Sequence, residues 1–187
     1  MTNLNGPLST AAALVLFVLL AAAVATDLRS HRIPNMLLLP ALSLALMLHT
    51  MTSGTDGLIV AATGLTLGLA MLFPFYLAGG IAAGDVKLLG VVGSFVGPWG
   101  VVVSGLATMM AGAVFGVAVI VWQRLLPALE SRAARVLSPP DTGLRTAPVA
   151  HSLGQQKRIT YIPYAPAIAA GTVAALWYLG YLPDQIL

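Results

Sequence analysis

The chain has 187 residues, 58% of them hydrophobic and only 8% charged, with no cysteine. So few charges exclude a water-soluble domain of this size, and the missing thiols exclude a disulfide framework, a cysteine nucleophile and a cysteine-based zinc site. The net charge of +3 reads first as topology, because Lys and Arg mark the cytoplasmic loops of membrane proteins, and no nucleic-acid partner is expected.

The apolar runs are long and do not alternate as barrel strands would, so an all-α integral membrane protein is expected. Residues Met1 to Pro7 hold no Lys or Arg, which argues against a cleavable signal, and the first span is expected from about Pro7 to Ala25. Asp27, Arg29, His31 and Arg32 then form a polar turn. A second span, about Asn35 to Met51, follows Ile33-Pro34, a place where proline suits a helix start. His49 to Gly57 reads as a polar loop, and Leu58 to Leu77 as a third span kinked at Pro74. After Gly79-Gly80, the apolar stretch from Asp85 to Trp122 would reach roughly 55 Å as one helix, against a hydrocarbon core of roughly 30 Å. A break at Gly97-Pro98-Trp99-Gly100 leaves a short fourth helix, about Val86 to Val96, which must be sheltered by protein or end in a wet cavity. The fifth helix runs from about Val101 to Trp122. The hydrophilic segment 123–160 carries six basic and two acidic residues, hence +4. It reads as a loop held near anionic headgroups, with a short surface helix between Arg124 and Arg135 ahead of Pro139-Pro140. The sixth span is expected from about Tyr161 to Tyr181.

Six spans place all nine basic residues on one side of the membrane, which is then cytoplasmic. Both termini become extracytoplasmic. The whole of 1–187 is expected to be one membrane-embedded domain, with 123–160 a cytoplasmic loop within it. The same count sets Asp27 and Asp85 at one cytoplasmic level.

Those two acids carry the functional signal. Carboxylates at the edge of apolar spans are costly, so they pair, line a wet cavity or do chemistry. Two acids sharing a site divide one proton between them, which supplies a general base and a general acid. The plainer readings are an N-cap for Asp85 and an interfacial anchor for Asp27. Gly84, beside Asp85, admits backbone conformations and close approaches closed to other residues. Lys87 has three readings: tuning Asp85, orienting a substrate carbonyl, or snorkelling to the interface. His31, His49 and His151 are scattered, so no metal is expected, and Ser104 lacks a basic partner on its helix. Gly64-x-x-x-Gly68 and Gly112-x-x-x-Gly116 read as close helix packing.

Three segments together resemble the type IV prepilin peptidase family of aspartic proteases with a Gly-x-Gly-Asp motif. They are Asp27 to Asn35, ending Ile33-Pro34-Asn35; Ala82-Ala-Gly-Asp-Val-Lys-Leu-Leu89; and Ile162-Pro-Tyr-Ala-Pro-Ala-Ile-Ala-Ala-Gly171. The first glycine of the motif is Ala82 here. The cysteine-bearing cytoplasmic insertion of long, bifunctional members is missing, which favours the compact form serving Flp-type (tight adherence) pili and argues against N-methyltransferase activity. The resemblance implies Asp27 and Asp85 as the catalytic pair, with Gly84, Lys87, Pro34, Asn35 and Pro163 supporting or near the substrate. It implies a prepilin or pseudopilin substrate cut after a leader glycine, the bacterial inner membrane, lipid contacts and no cofactor. Two rival readings stand beside it: a small transporter or proton-relay protein using the same acids, and a non-catalytic assembly subunit.

Overall fold

The computed structural model describes the backbone of residues 10–30, 33–137 and 164–181, with side chains for these except 120 and 122–137. Every regular element among the described residues is helical: α1 (Thr10–Ser30), α2 (Asn35–Leu77), α3 (Ala83–Leu137) and α4 (Ala165–Tyr178). Three stretches are long and apolar enough to cross a membrane, namely Thr10–Ser30, Asn35–Leu77 and Ala83–Val119. By contacts the chain divides into a main body, Met1–Val114 with Pro163–Leu187, and a second unit, Phe115–Ile162. In the second unit the described backbone is the helical run to Leu137. The helix expected over Arg124 to Arg135 is therefore a continuation of the fifth helix, while Pro139-Pro140 lies outside the described residues.

Two glycines fold the long helices back on themselves. In α2, Gly54 alone departs from helical geometry, at φ 58 and ψ −135. In a straight helix residues 49 and 57 would lie about 12 Å apart, yet a Cβ on Gly57 would strike the His49 carbonyl. The segment read as a polar loop is thus helical on both sides of a one-residue reversal. Its hydroxyls do not break the helix because Thr50 and Thr52 bond back to the carbonyls of Leu46 and Leu48, a local satisfaction open to Thr in helices. In α3 the reversal is at Gly97, φ 74, where the break was expected. Residues 93 and 101 meet across it, since a Cβ on Gly93 would lie 2.9 Å from Val101 Cγ2. No such departure occurs at Pro74, which stays within the helical run.

α2 ends in a turn whose bonds run from the Gly79 N–H to the Tyr76 carbonyl and from the Gly80 N–H to the Phe75 carbonyl, with Gly79 at φ 75. That pairing is the glycine-dependent helix stop of the Schellman type. It turns the chain directly into α3, whose arm before Gly97 runs back along α2. Side chains there would obstruct the packing: a Cβ on Gly64 would strike the Gly93 carbonyl, and one on Gly68 would crowd Leu89 and Gly90. Small residues allow this backbone approach, which drives helix association where lipid offers no hydrophobic contrast. Gly112 belongs to a different contact, against the Tyr164 ring, and Gly116 has no neighbour within 4 Å.

The α3 arm before Gly97 is the central element. From Asp85 to Gly97 every residue is buried except Lys87, the pattern of a helix surrounded by protein. The expected shelter of the short fourth helix is therefore present. α1 packs on α2 and α4, and Leu16, Leu20, Leu72, Leu88, Leu89, Phe95 and Ile168 fill the core between them. α4 is too short to be a full crossing by itself, at 14 residues against a usual 20 or so. Residues 161–163 of the expected sixth span lie outside the described part.

Candidate active site

Asp27 stands in the last turn of α1 rather than past its end, and is fully buried. Its Oδ2 accepts a hydrogen bond of 3.1 Å from the backbone N–H of Ala165, 138 residues away. Ala165 is the first residue of α4, and the Tyr164 side chain before it provides no cap. The opening N–H groups of a helix have no partner of their own, so a carboxylate from another helix does the capping, at the positive end of the α4 dipole. The other oxygen, Oδ1, is buried with no hydrogen-bond partner.

Asp85 has the complementary placement. It is the third residue of α3 rather than its N-cap, is 1% exposed, and is hydrogen-bonded to the backbone at Ala82. An acid three places in, bonded to the residue before the helix, is half of a capping box. Its Oδ1 also lacks a partner. The two carboxyls are near enough for their charges to act on one another. Each acid thus has one oxygen tied to a helix start and one left free in the protein interior. Burying such an atom normally costs roughly 1–3 kcal/mol.

The remaining residues singled out by sequence fall around the first turns of α2 and α3. Gly84 is helical, without a positive φ, and a Cβ there would lie 3.2 Å from the Ile33 Cβ. Its smallness admits a close approach by Ile33, an intramolecular neighbour. Pro34 is the N-cap of α2 in extended geometry, and its carbonyl accepts from the Leu37 N–H. Lys87 is exposed, and its Nζ donates to Asn35 Oδ1 at 3.1 Å. To its three readings the structure adds a fourth, a link between the starts of two helices. Pro163 lies outside the described residues.

Tyr164 was not singled out, though it sits inside the third quoted segment. It is half-buried at the start of α4, its ring lies over Gly112, and it lies within the field of Asp85. Its neighbour Ala165, the partner of Asp27, was missed for a plainer reason. A backbone N–H leaves no mark in a sequence.

His49 is part-buried, with Nε2 3.1 Å from the Phe95 carbonyl. Among the described residues no group of three or more His, Cys, Asp or Glu is arranged to hold a metal ion. Ser104 is buried with no partner for its hydroxyl.

The model of the Type IV leader peptidase family matches residues 14–117, a stretch that includes both acids. The chain is 30% identical over 169 residues to a protein of Bacillus subtilis (strain 168) named prepilin leader peptidase/N-methyltransferase, which covers 89% of this chain and 55% of that protein. It spans about half the length of the curated relative it matches. No solved structure matches it significantly.

Proposed function

Because this chain belongs to the type IV leader peptidase family, we propose that it is a membrane aspartic endopeptidase in which Asp27 and Asp85 form the catalytic pair. The observation that carries the proposal is the pair of unpartnered oxygens, Asp27 Oδ1 and Asp85 Oδ1, both buried. A water placed between them meets a proton acceptor and a proton donor at once. The ionised carboxylate takes a proton as the water oxygen attacks the scissile carbonyl, and the protonated one donates to the developing oxyanion. Collapse then breaks the C–N bond and returns a proton to the leaving amine. The roles of base and acid belong to the dyad and not to either residue singly.

The proposed substrate is a prepilin or pseudopilin of the Flp-like type, cut after a leader glycine just ahead of its hydrophobic helix. In this reading α1, the two arms of α2, the two arms of α3 and α4 are six spans of one domain. The nine basic residues and the active site face the cytoplasm, the termini face out, and 123–160 is a cytoplasmic loop. Gly84, Pro34, Asn35, Lys87 and Pro163 support the acids or the substrate. A proton relay would need acids distributed across the bilayer, whereas these two lie within each other's electrostatic reach, which favours hydrolysis.

The test is cleavage of a model prepilin by the detergent-solubilised protein. Asp27→Asn and Asp85→Asn each keep shape but cannot exchange the proton, and loss of acid–base function costs about 10²–10⁴-fold. Both variants are expected to accumulate normally and to lose processing, and EDTA is expected to leave the wild type active. Near wild-type cleavage by either variant would remove the dyad.

A further inference from the structure

We propose that the Lys87–Asn35 hydrogen bond is a positioning latch that holds the start of α3 against the start of α2 and thereby sets the placement of Asp85 relative to Asp27. The inference rests on the peptidase reading of that pair. Lys87 and Asp85 are two residues apart, about 200° around a helix, so with Asp85 turned inward Lys87 points out on the opposite side of the same turn. It is the one exposed residue between Asp85 and Gly97. A cation this close to a helix N-terminus has no help from the helix dipole, so its own helix gives no reason for it to be there. Asn35 gives that reason. It opens α2, and its side-chain oxygen accepts from Lys87 across 52 residues.

A second contact acts in the same place. Gly84 leaves room for Ile33, whose Cβ would lie 3.2 Å from any Cβ at that position. The first turn of α3 is thus held to the Ile33–Asn35 segment on two sides, by packing at Gly84 and by the polar link at Lys87. That segment follows closely on α1, which ends at Ser30 and carries Asp27 in its last turn. The two contacts therefore tie the turn that presents the second acid to the segment that follows, in sequence, the helix presenting the first. A single exposed hydrogen bond contributes little to global stability. Alignment is far more sensitive, because a displacement of about 1 Å can cost on the order of 10²-fold in rate. A latch of this kind is expected to matter for turnover and hardly at all for folding.

The experiment is a mutant cycle of Lys87→Met, Asn35→Leu and the double variant, assayed for kcat and KM on a model prepilin. Each single variant is expected to lose roughly five- to thirtyfold in kcat with KM unchanged, and the double variant to lose no more than the worse single. Asn35→Asp retains an acceptor and is expected to stay within about twofold of wild type. A rise in KM with kcat intact would make Lys87 a substrate contact, multiplying losses would make the two residues independent, and wild-type rates would remove any role. Each of these overturns the latch. A readout without activity uses the absence of native cysteine: Asp27→Cys/Asp85→Cys is cross-linked with a short thiol reagent, with and without Lys87→Met. Slower cross-linking, by about threefold or more, is expected on loss of the latch. An unchanged rate, or no cross-linking with Lys87 intact, overturns the proposal. If cross-linking slows while the wild type cleaves no prepilin, the latch stands and the peptidase reading fails.

Discussion

Asp27 has two oxygens in two different situations, and substitutions can separate them. Oδ2 caps α4 through Ala165, whereas Oδ1 has no protein partner. Asp27→Ala removes both; Asp27→Asn keeps an acceptor for the Ala165 N–H. Either substitution also relieves the burial of a carboxyl facing Asp85, a gain common to both variants that cancels in their difference. What remains is the cap. Losing an N-cap acceptor costs about 0.5–2 kcal/mol, and a buried N–H left without a partner costs about 1–3 kcal/mol. Since an amide accepts more weakly than a carboxylate, the asparagine variant is expected to be more stable than the alanine variant by about 1–2 kcal/mol. At about 2–4 °C per kcal/mol for a chain of this size, the midpoints of thermal unfolding should differ by roughly 2–8 °C at a fixed scan rate in detergent. Hydrogen exchange should localise the change to the amides at the start of α4. Equal midpoints, or faster exchange spread evenly over all helices, would refute the assignment of Asp27 as the α4 cap. Both variants are expected to be inactive, so the two oxygens are resolved only by stability.

Gly64→Val is expected to prevent proper folding or lower the thermal midpoint sharply, because the new Cβ would strike the Gly93 carbonyl; a well-folded, wild-type-like valine variant would contradict the helix approach. Cysteine labelling checks the topology: Thr55→Cys and Asp184→Cys should react with an impermeant maleimide in intact cells, and Ser138→Cys only after the membrane is opened. Replacing Ser131–Ser152 by a Gly/Ser linker is expected to leave cleavage of a solubilised substrate within a few-fold of wild type, since the +4 segment is read as a partner of anionic headgroups. A hundredfold loss, about 2.7 kcal/mol in the transition state, would show that the segment recognises substrate.

Asp27 and Asp85 stood out because membrane physics restricts where carboxylates can sit, and an even number of expected spans between them would return the chain to the same end. The break at Gly97 was legible from length, since an uninterrupted helix would overshoot the bilayer. The reversal at Gly54 was blurred into a loop from His49 to Gly57. Composition marks a polar stretch, but it does not reveal hydroxyls bonded back to their own helix, as at Thr50 and Thr52. The Lys87–Asn35 link and the capping of α4 by Asp27 were not legible at all. Both join positions far apart in the chain, and one uses a backbone group that every residue except proline possesses.

The near-complete enclosure of the α3 arm before Gly97 bears on how the protein lives in membranes of different thickness. A helix bordered by lipid answers a thinner or thicker hydrocarbon layer by tilting or by drawing in its flanks. The arm that carries Asp85 has almost no such border. Its depth is referenced to the helices around it, so hydrophobic mismatch is taken up by the outer helices, and the placement of Asp85 within the bundle is set by protein and not by the lipid around it.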